Sequence, residues 1–163
     1  MVVVKSLNAG THDESMKVLN KLVVATLPAV PKPIIRQFAN RYIAGEEIAD
    51  AVRVVRGLNA QGAMATLDVL GEDIHHREEA VAARDMIIRV LSTINAEHLD
   101  SNVSIKLSQL GLKLDKDFCL ENSALIADHA RTLKNFVRID MEDSSCTSDT
   151  IWVYRELRKK YDN

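Results

Sequence analysis

Three short apolar segments recur after Gly62, and each is followed by a longer stretch with helical spacing of apolar residues. The apolar segments cover residues 63–70, 103–107 and 136–139, and the helical stretches follow at about residues 78–96, 120–133 and 148–161. Strands that alternate with helices of this length form parallel sheets with crossover helices. The alternation therefore predicts the α/β class, with three consecutive βα units.

The first part of the chain has a different pattern, in which helical stretches are separated by prolines. Helical spacing covers three stretches, at about residues 15–26, 33–43 and 46–62. Three prolines between residues 28 and 33 separate the first two stretches, because proline cannot continue a helix. We expect a helical lead segment over residues 1–62 and the βα units over residues 63–163.

The length of the chain limits how much of a fold these units can complete. An eightfold (β/α) barrel typically needs about 250 residues, whereas this chain has 163. Three parallel strands alone would leave open sheet edges, which folded proteins avoid. We therefore expect N-terminal helices followed by the first three βα units of a (β/α)8 (TIM-type) barrel, truncated after the third unit.

Composition excludes several classes of function. The formal net charge is -2 and aromatic residues make up 4% of the chain. Nucleic-acid binding usually needs a basic surface, or aromatic side chains on which bases stack, so we expect no nucleic-acid partner. No apolar run approaches the roughly 18 residues that a membrane-spanning helix needs.

Polar residues cluster where the predicted strands end, and this is where sites gather in parallel sheets and barrels. Asp68 is in the first strand, Lys106 is in the second, and Asp140 follows the third. A solvated strand face would explain Lys106, but both faces of a parallel strand are usually covered. Because an unpaired buried charge is unfavourable, Lys106 needs an anionic partner, and Asp140 on the neighbouring strand is the natural one.

Other charged residues near the strand ends have alternative explanations. Asp68 and Glu72 flank Gly71, and the sequence leaves open whether they belong to a site or only cap a turn and face solvent. Glu142 and Asp143 are expected to be loop charges or to cap a helix that begins near Ser148.

The sequence favours no metal site. His75 and His76 are adjacent, but no third ligand stands at a suitable spacing. The carboxylates of residues 140–143 also lack the spacing of a divalent-cation site. Cys119 and Cys146 are far apart and are expected to be reduced structural thiols, with a disulfide or a metal pair as the less favoured alternative.

Three separate blocks of the sequence resemble the monofunctional bacterial branch of the proline dehydrogenase family. They are IAGEEIADAVRVVRGLNAQGAMATLDVLGE (43–72), VSIKLSQLGLKLD (103–115) and NFVRIDMEDSS (135–145). The blocks occur in the same order and at the same spacing as in that family, so the resemblance covers about residues 33–163. The part of these enzymes that the chain resembles is their N-terminal portion.

The resemblance implies an oxidoreductase of proline catabolism, a flavoprotein with a distorted (β/α)8 barrel that binds FAD. Such enzymes oxidise L-proline to Δ1-pyrroline-5-carboxylate by hydride transfer to the flavin, and they pass the electrons to a membrane quinone. The expected location is the cytoplasm, and the use of a quinone leaves open a peripheral contact with the inner membrane face.

The resemblance also implies roles for individual residues. Asp140 matches an aspartate beside the substrate and the flavin, and Glu72 matches a loop glutamate that closes over the occupied site by pairing with a substrate-binding arginine. Lys106 matches the lysine near the substrate carboxylate, and the backbone of Met141 matches a contact with FAD. The family's paired substrate-binding arginines and most of its flavin contacts would lie beyond Asn163. The alternative is therefore a truncated, non-catalytic fragment, or a partner that completes a barrel with another chain.

Overall fold

A computed structural model describes residues 2–5, 43–45, 47–71 and 74–163. The described chain has four helices and a sheet in which three strands are parallel, which confirms the predicted α/β class. The elements are β1 (Val2–Lys5), β2 (Ile43–Gly45), α1 (Ile48–Asn59), β3 (Ala65–Val69), α2 (Arg77–Ala96), β4 (Ser101–Ile105), α3 (Lys116–Thr132), β5 (Val137–Ile139) and α4 (Thr147–Arg158).

The described strands form one sheet in the order β2-β1-β3-β4-β5. Strands β3, β4 and β5 are parallel, with Leu67 opposite Val103 and Val103 opposite Val137. Helices α2 and α3 connect these strands, and a helix is the usual crossover connection between parallel strands. Because the three strands run in the same direction, the residues that follow them lie together at the C-terminal end of the parallel strands.

Two strands lie in the segment for which the sequence predicts only helices. β1 pairs antiparallel with β3, with Val3 opposite Asp68, and β2 pairs antiparallel with β1. The valines of β1 are β-branched and favour a strand. The helix predicted for residues 33–43 is wrong at its end, because Ile43 begins β2; the rest of that helix and the one predicted for residues 15–26 lie outside the described residues. The division of the chain into two units stays a prediction.

Helix α3 begins earlier than predicted because a side chain caps it. The carboxylate of Asp115 accepts hydrogen bonds from the backbone N–H groups of Asp117 and Phe118, at 3.0 and 3.1 Å. These N–H groups have no partner within the helix, and an aspartate at the N-cap supplies one. The helix therefore starts at Lys116 rather than near residue 120.

Two further boundaries differ from the prediction. β4 ends at Ile105, so Lys106 directly follows the strand instead of lying inside it. Helix α4 begins at Thr147 with Cys146 at its N-cap, whereas the sequence predicts a helix that begins near Ser148. A turn leads into α4, in which the N–H of Cys146 donates to the carbonyl oxygen of Asp143 at 3.3 Å.

Both faces of the central strands are buried, but their chemistry differs. Every residue of β3 and β4 is buried, and side chains alternate between the two faces of a strand. One face joins a hydrophobic cluster with residues of α2 and α3, which includes Leu67, Val103, Ile105, Ile87, Leu91 and Ile126. The other face carries buried polar residues, namely Thr66, Asp68, Asn102 and Ser104. Buried polar side chains are uncommon, so the polar face of the sheet is a candidate for a functional site.

The hydrophobic cluster predicts a large difference between two leucine substitutions. Leu91→Ala removes a fully buried side chain and is expected to lower the free energy of unfolding by about 2–5 kcal/mol, because it leaves a cavity. Leu125→Ala is the matched control, since Leu125 is 51% exposed and its replacement is expected to change stability by less than about 0.5 kcal/mol. Urea-induced unfolding followed by circular dichroism measures both. Equal losses in the two variants would contradict the assigned core.

Candidate functional site

Charged residues from three strands meet at the C-terminal edge of the parallel sheet. The ammonium nitrogen of Lys106 lies 2.8 Å from Oδ2 of Asp68 and 3.4 Å from Oδ2 of Asp140. Asp68 comes from β3, and Lys106 and Asp140 follow β4 and β5. The structure therefore brings Lys106 and Asp140 together, as their positions in the sequence predict, but the nearer carboxylate is that of Asp68.

This ion cluster is shielded from water to different degrees. The exposed fraction of the side chain is 3% for Asp68, 14% for Lys106 and 21% for Asp140. Burial alone would lower the pKa of Lys106, but the hydrogen bond to Asp68 and the charges of both carboxylates outweigh it and raise that pKa above its ordinary value. Lys106 is therefore a cation at neutral pH.

Asp140 is held on both sides of its carboxyl group. The hydroxyl of Ser104 donates to Oδ1 at 2.7 Å, while Lys106 contacts Oδ2. The backbone N–H of Asp140 donates to the carbonyl oxygen of Ile105 at 3.0 Å. Since Ser104 and Lys106 are two residues apart along the chain, one segment fixes the position of the neighbouring carboxylate.

Glu142 connects the loops that follow β4 and β5. Its carboxylate accepts a hydrogen bond from the backbone N–H of Ser108 at 2.9 Å and a second from the hydroxyl of the same residue. The sequence predicts a loop charge at this position, and Glu142 is instead a partly buried link between two loops of the site. No local pattern could have indicated this role, because Ser108 is distant in the sequence.

Asp143 organises the turn before α4. Its carboxylate accepts hydrogen bonds from the backbone N–H of Ser145, at 2.8 Å, and from the Ser145 hydroxyl, and it lies 3.3 Å from the ammonium nitrogen of Lys113. These hydrogen bonds, with a smaller contribution from the charge of Lys113, lower the pKa of Asp143 to about 2. The side chain is half exposed, and it belongs to the entry of the helix, as the sequence predicts.

A cleft of about 740 Å³ opens above the ion cluster. Its lining consists of Ile74, His75, Lys106, Ser108, Lys113, Leu114, Asp140, Met141, Glu142 and Asp143. Met141 and Leu114 are 58% and 40% exposed, so the cleft has apolar surface as well as charged groups. Glu72, which the resemblance to proline dehydrogenase assigns to the same site, lies outside the described residues.

The histidines and cysteines that the sequence analysis considered as metal ligands form no metal site among the described residues. Within the described ranges, no three His, Cys, Asp or Glu side chains lie close enough together to hold a metal ion. His75 and His76 donate their backbone N–H groups to the carboxylate of Glu79, at 2.6 and 2.9 Å, at the start of α2. Cys119 and Cys146 are free and buried, and burial raises the pKa of the Cys119 thiol to about 12.

The link through Glu142 is open to a direct test by amide hydrogen exchange. Glu142→Ala leaves the Ser108 N–H without its carboxylate acceptor and is expected to speed its exchange by about 10-fold to 100-fold, since hydrogen bonds to charged groups are among the stronger ones. Asp143→Ala is the control, because its carboxylate contacts Ser145 and Lys113 instead. An unchanged rate at Ser108 in Glu142→Ala would show that this hydrogen bond does not form in solution.

Comparisons with known proteins bear on this site. No protein-family model matches the chain. Proline dehydrogenase 2 of Bacillus subtilis is 35% identical over 128 residues, which are 78% of this chain and 42% of that protein. Proline dehydrogenase 1 of the same species is 33% identical over 124 residues, which are 76% of this chain and 41% of that protein. Proline dehydrogenase of Deinococcus radiodurans is 33% identical over 143 residues, which are 83% of this chain and 46% of that protein.

A solved structure shares the fold. The crystal structure of proline utilization A (PutA) from Bdellovibrio bacteriovorus, inactivated by N-propargylglycine, superimposes with a TM-score of 0.68 and 19% sequence identity. The match covers 77% of this chain and 16% of that one. The chain spans less than half the length of the relatives in the sequence comparison. Over the length that it shares with them, this chain is homologous to the bacterial proline dehydrogenases, as its three sequence blocks predict.

Proposed function

We propose that the cleft above Lys106 is part of the L-proline site of an FAD-dependent proline dehydrogenase, which forms Δ1-pyrroline-5-carboxylate. The observation that carries the proposal is the position of the Lys106 ammonium group, held between Asp68 and Asp140 and lining a cleft of suitable size. Ligand sites of small molecules are commonly clefts of about 300–1,000 Å³ with a few polar groups. We propose L-proline as the substrate because the similar proteins of Bacillus subtilis and Deinococcus radiodurans are proline dehydrogenases.

The chemistry of L-proline suits this arrangement. Its carboxylate needs a cation, and Lys106 is one at neutral pH. Its nitrogen bears N–H groups, and the carboxylate of Asp140 faces the same cleft as an acceptor. In the reaction a hydride leaves the carbon next to nitrogen, the nitrogen loses a proton and a C=N bond forms. A site that excludes water favours this step, so the protein's part is to bind and orient the substrate.

The residues of the cleft fit a flavin ring on one side. A flavin ring has a flat apolar face and a polar edge, and Met141 and Leu114 offer exposed apolar surface beside the charged group of Lys106. When bound, FAD would supply the hydride acceptor. Met141 is the residue of this chain that we propose to lie against it, through its backbone. No glycine-rich phosphate-binding motif occurs in the sequence.

Glu72 and an electron acceptor complete the proposed enzyme. Glu72 would close over the occupied site by pairing with a substrate-binding arginine, and a membrane quinone would take the electrons. Among the helices that the structure describes, none is long and apolar enough to cross a membrane. A cytoplasmic location with a peripheral contact at the inner membrane face remains part of this proposal.

We further propose that residues 63–163 are the first three βα units of a (β/α)8 barrel, preceded by a lead segment over residues 1–62. The support comes from β5, which lies at one edge of the described sheet. An apolar groove of about 240 Å³ runs beside it, between β5 and the helices α3 and α4. Phe136 and Tyr154 line this groove and are each 51% exposed. A further parallel strand would cover both the edge of β5 and these rings.

The position of β5 at the edge of the described sheet also favours a second candidate function, in which the chain is a non-catalytic fragment or needs another chain to complete the barrel. The visible absorption spectrum of the purified chain, mixed with FAD and passed through a desalting column, distinguishes the two. Retained flavin would support an enzyme that binds its own cofactor. A colourless protein would support the fragment or partner.

The proposed role of Lys106 predicts a difference between two lysines of the same cleft. Lys106→Met is expected to weaken L-proline binding by about 10-fold to 100-fold, because a hydrogen-bonded charge pair is lost. Lys113→Met is the matched control, since Lys113 also lines the cleft but is paired with Asp143 and is 58% exposed. Isothermal titration with L-proline in the presence of FAD measures both, with circular dichroism as the check on folding.

The outcomes separate the parts of the proposal. Equal losses in the Lys106 and Lys113 variants would contradict the assignment of the carboxylate site to Lys106. If the unaltered chain binds no L-proline, the cleft of this chain alone is not a proline site.

A further inference from the structure

We propose that Asp68 is a positioning residue, whose carboxylate holds the Lys106 ammonium group in the orientation that receives a substrate carboxylate. The inference rests on the proposed function for the identity of the substrate, but the contact between Asp68 and Lys106 is a property of this chain. The sequence leaves Asp68 open between a turn cap and a site residue, and the resemblance to proline dehydrogenase gives it no role here.

Geometry distinguishes the two carboxylates of the ion cluster. Asp68 is nearer to the ammonium nitrogen, at 2.8 Å against 3.4 Å for Asp140. Asp68 is buried and does not line the cleft, whereas Lys106 and Asp140 both do. Asp68 is therefore placed to contact Lys106 from the protein side and not to touch a ligand in the cleft.

The register of the sheet explains why Lys106 needs such a contact. Asp68 lies opposite Ser104 in the β3–β4 ladder, and Lys106 is two residues further along the chain. The lysine must therefore reach back along the sheet to meet Asp68. Its stem of four carbons is flexible and its ammonium group is a compact point charge. Without an anchor, the ammonium group could extend into the cleft or toward solvent in many rotamers.

The contacts of Lys106 also set the direction of its N–H donors. An ammonium group has three donors and no acceptor. A short hydrogen bond to Asp68 and a longer one to Asp140 restrict the rotation of this group. The charges of the same two carboxylates keep the lysine protonated, in spite of its burial. Asp140 accepts a further hydrogen bond from the hydroxyl of Ser104, so Lys106 links Asp68 to Asp140 and Ser104.

Removal of the charge of Asp68 tests this role without any substrate. In the 163-residue chain, the ¹⁵N-detected signal of the Lys106 ammonium group reports how fast its protons exchange with water. Asp68→Asn keeps the shape of the side chain and is expected to speed this exchange by about tenfold or more. Ser104→Ala, the comparison, leaves Lys106 paired with Asp68 and is expected to change the rate far less. Asp68→Glu, which restores the charge, is expected to recover part of the slow exchange.

Binding of L-proline is the second measurement. Together with the exchange rate, it distinguishes the Asp68–Lys106 contact from the proposed function. Asp68→Asn is expected to weaken binding by about tenfold without direct contact between Asp68 and the ligand. An unchanged ammonium signal in Asp68→Asn, or an equal change in Ser104→Ala, would overturn the inference. A changed signal in a chain that binds no L-proline would support the Asp68–Lys106 contact and contradict the proposed function.

If Asp68→Asn does not fold, Asp140→Asn tests the same point. Slow exchange of the Lys106 ammonium protons is then expected to persist, because Asp68 is the nearer partner. Loss of the slow signal in Asp140→Asn would overturn the inference, since it would make Asp140 the anchor.

Discussion

The parallel register of β3, β4 and β5 is the constraint on which the site depends. Each strand contributes one charged residue at or just beyond its end, and only strands that run in the same direction place these residues at one edge of the sheet. If β3 or β5 were antiparallel to β4, Asp68 or Asp140 would lie at the other end of the strands, far from Lys106. The crossover helices α2 and α3 are thus part of the site's construction, although their side chains mainly serve the hydrophobic cluster.

Burial makes the charges of this edge depend on one another. A buried ion is tolerated when it is paired and hydrogen-bonded, and loss of one partner leaves an unfavourable charge behind. The chain meets this requirement with a connected series, from Asp68 through Lys106 to Asp140 and Ser104. The Glu142–Ser108 link then joins the loops that follow β4 and β5. These contacts restrict the side chains that line the cleft, and such restriction is a general advantage for binding.

The structural features that depend on local sequence patterns can be predicted from the sequence. The alternation of apolar and helical segments predicts the three βα units, and the positions of Lys106 and Asp140 at strand ends predict that they are neighbours. Pairings between distant residues are harder to predict. The strand β1 is too short to be distinguished by periodicity, and its place beside β3 depends on nonlocal contacts. The nearer partner of Lys106 and the role of Glu142 also depend on loop and side-chain conformations that no spacing encodes.

The claim that this cleft receives the carboxylate of L-proline is tested most directly by chemical-shift mapping of the chain with two ligands in the presence of FAD. L-proline carries a carboxylate, and pyrrolidine is the same ring without it. With L-proline we expect shifts at the Lys106 ammonium group and at the backbone of Ser108 and Met141, and with pyrrolidine we expect little change. Equal shifts with both ligands, or shifts that lie away from the cleft, would contradict it.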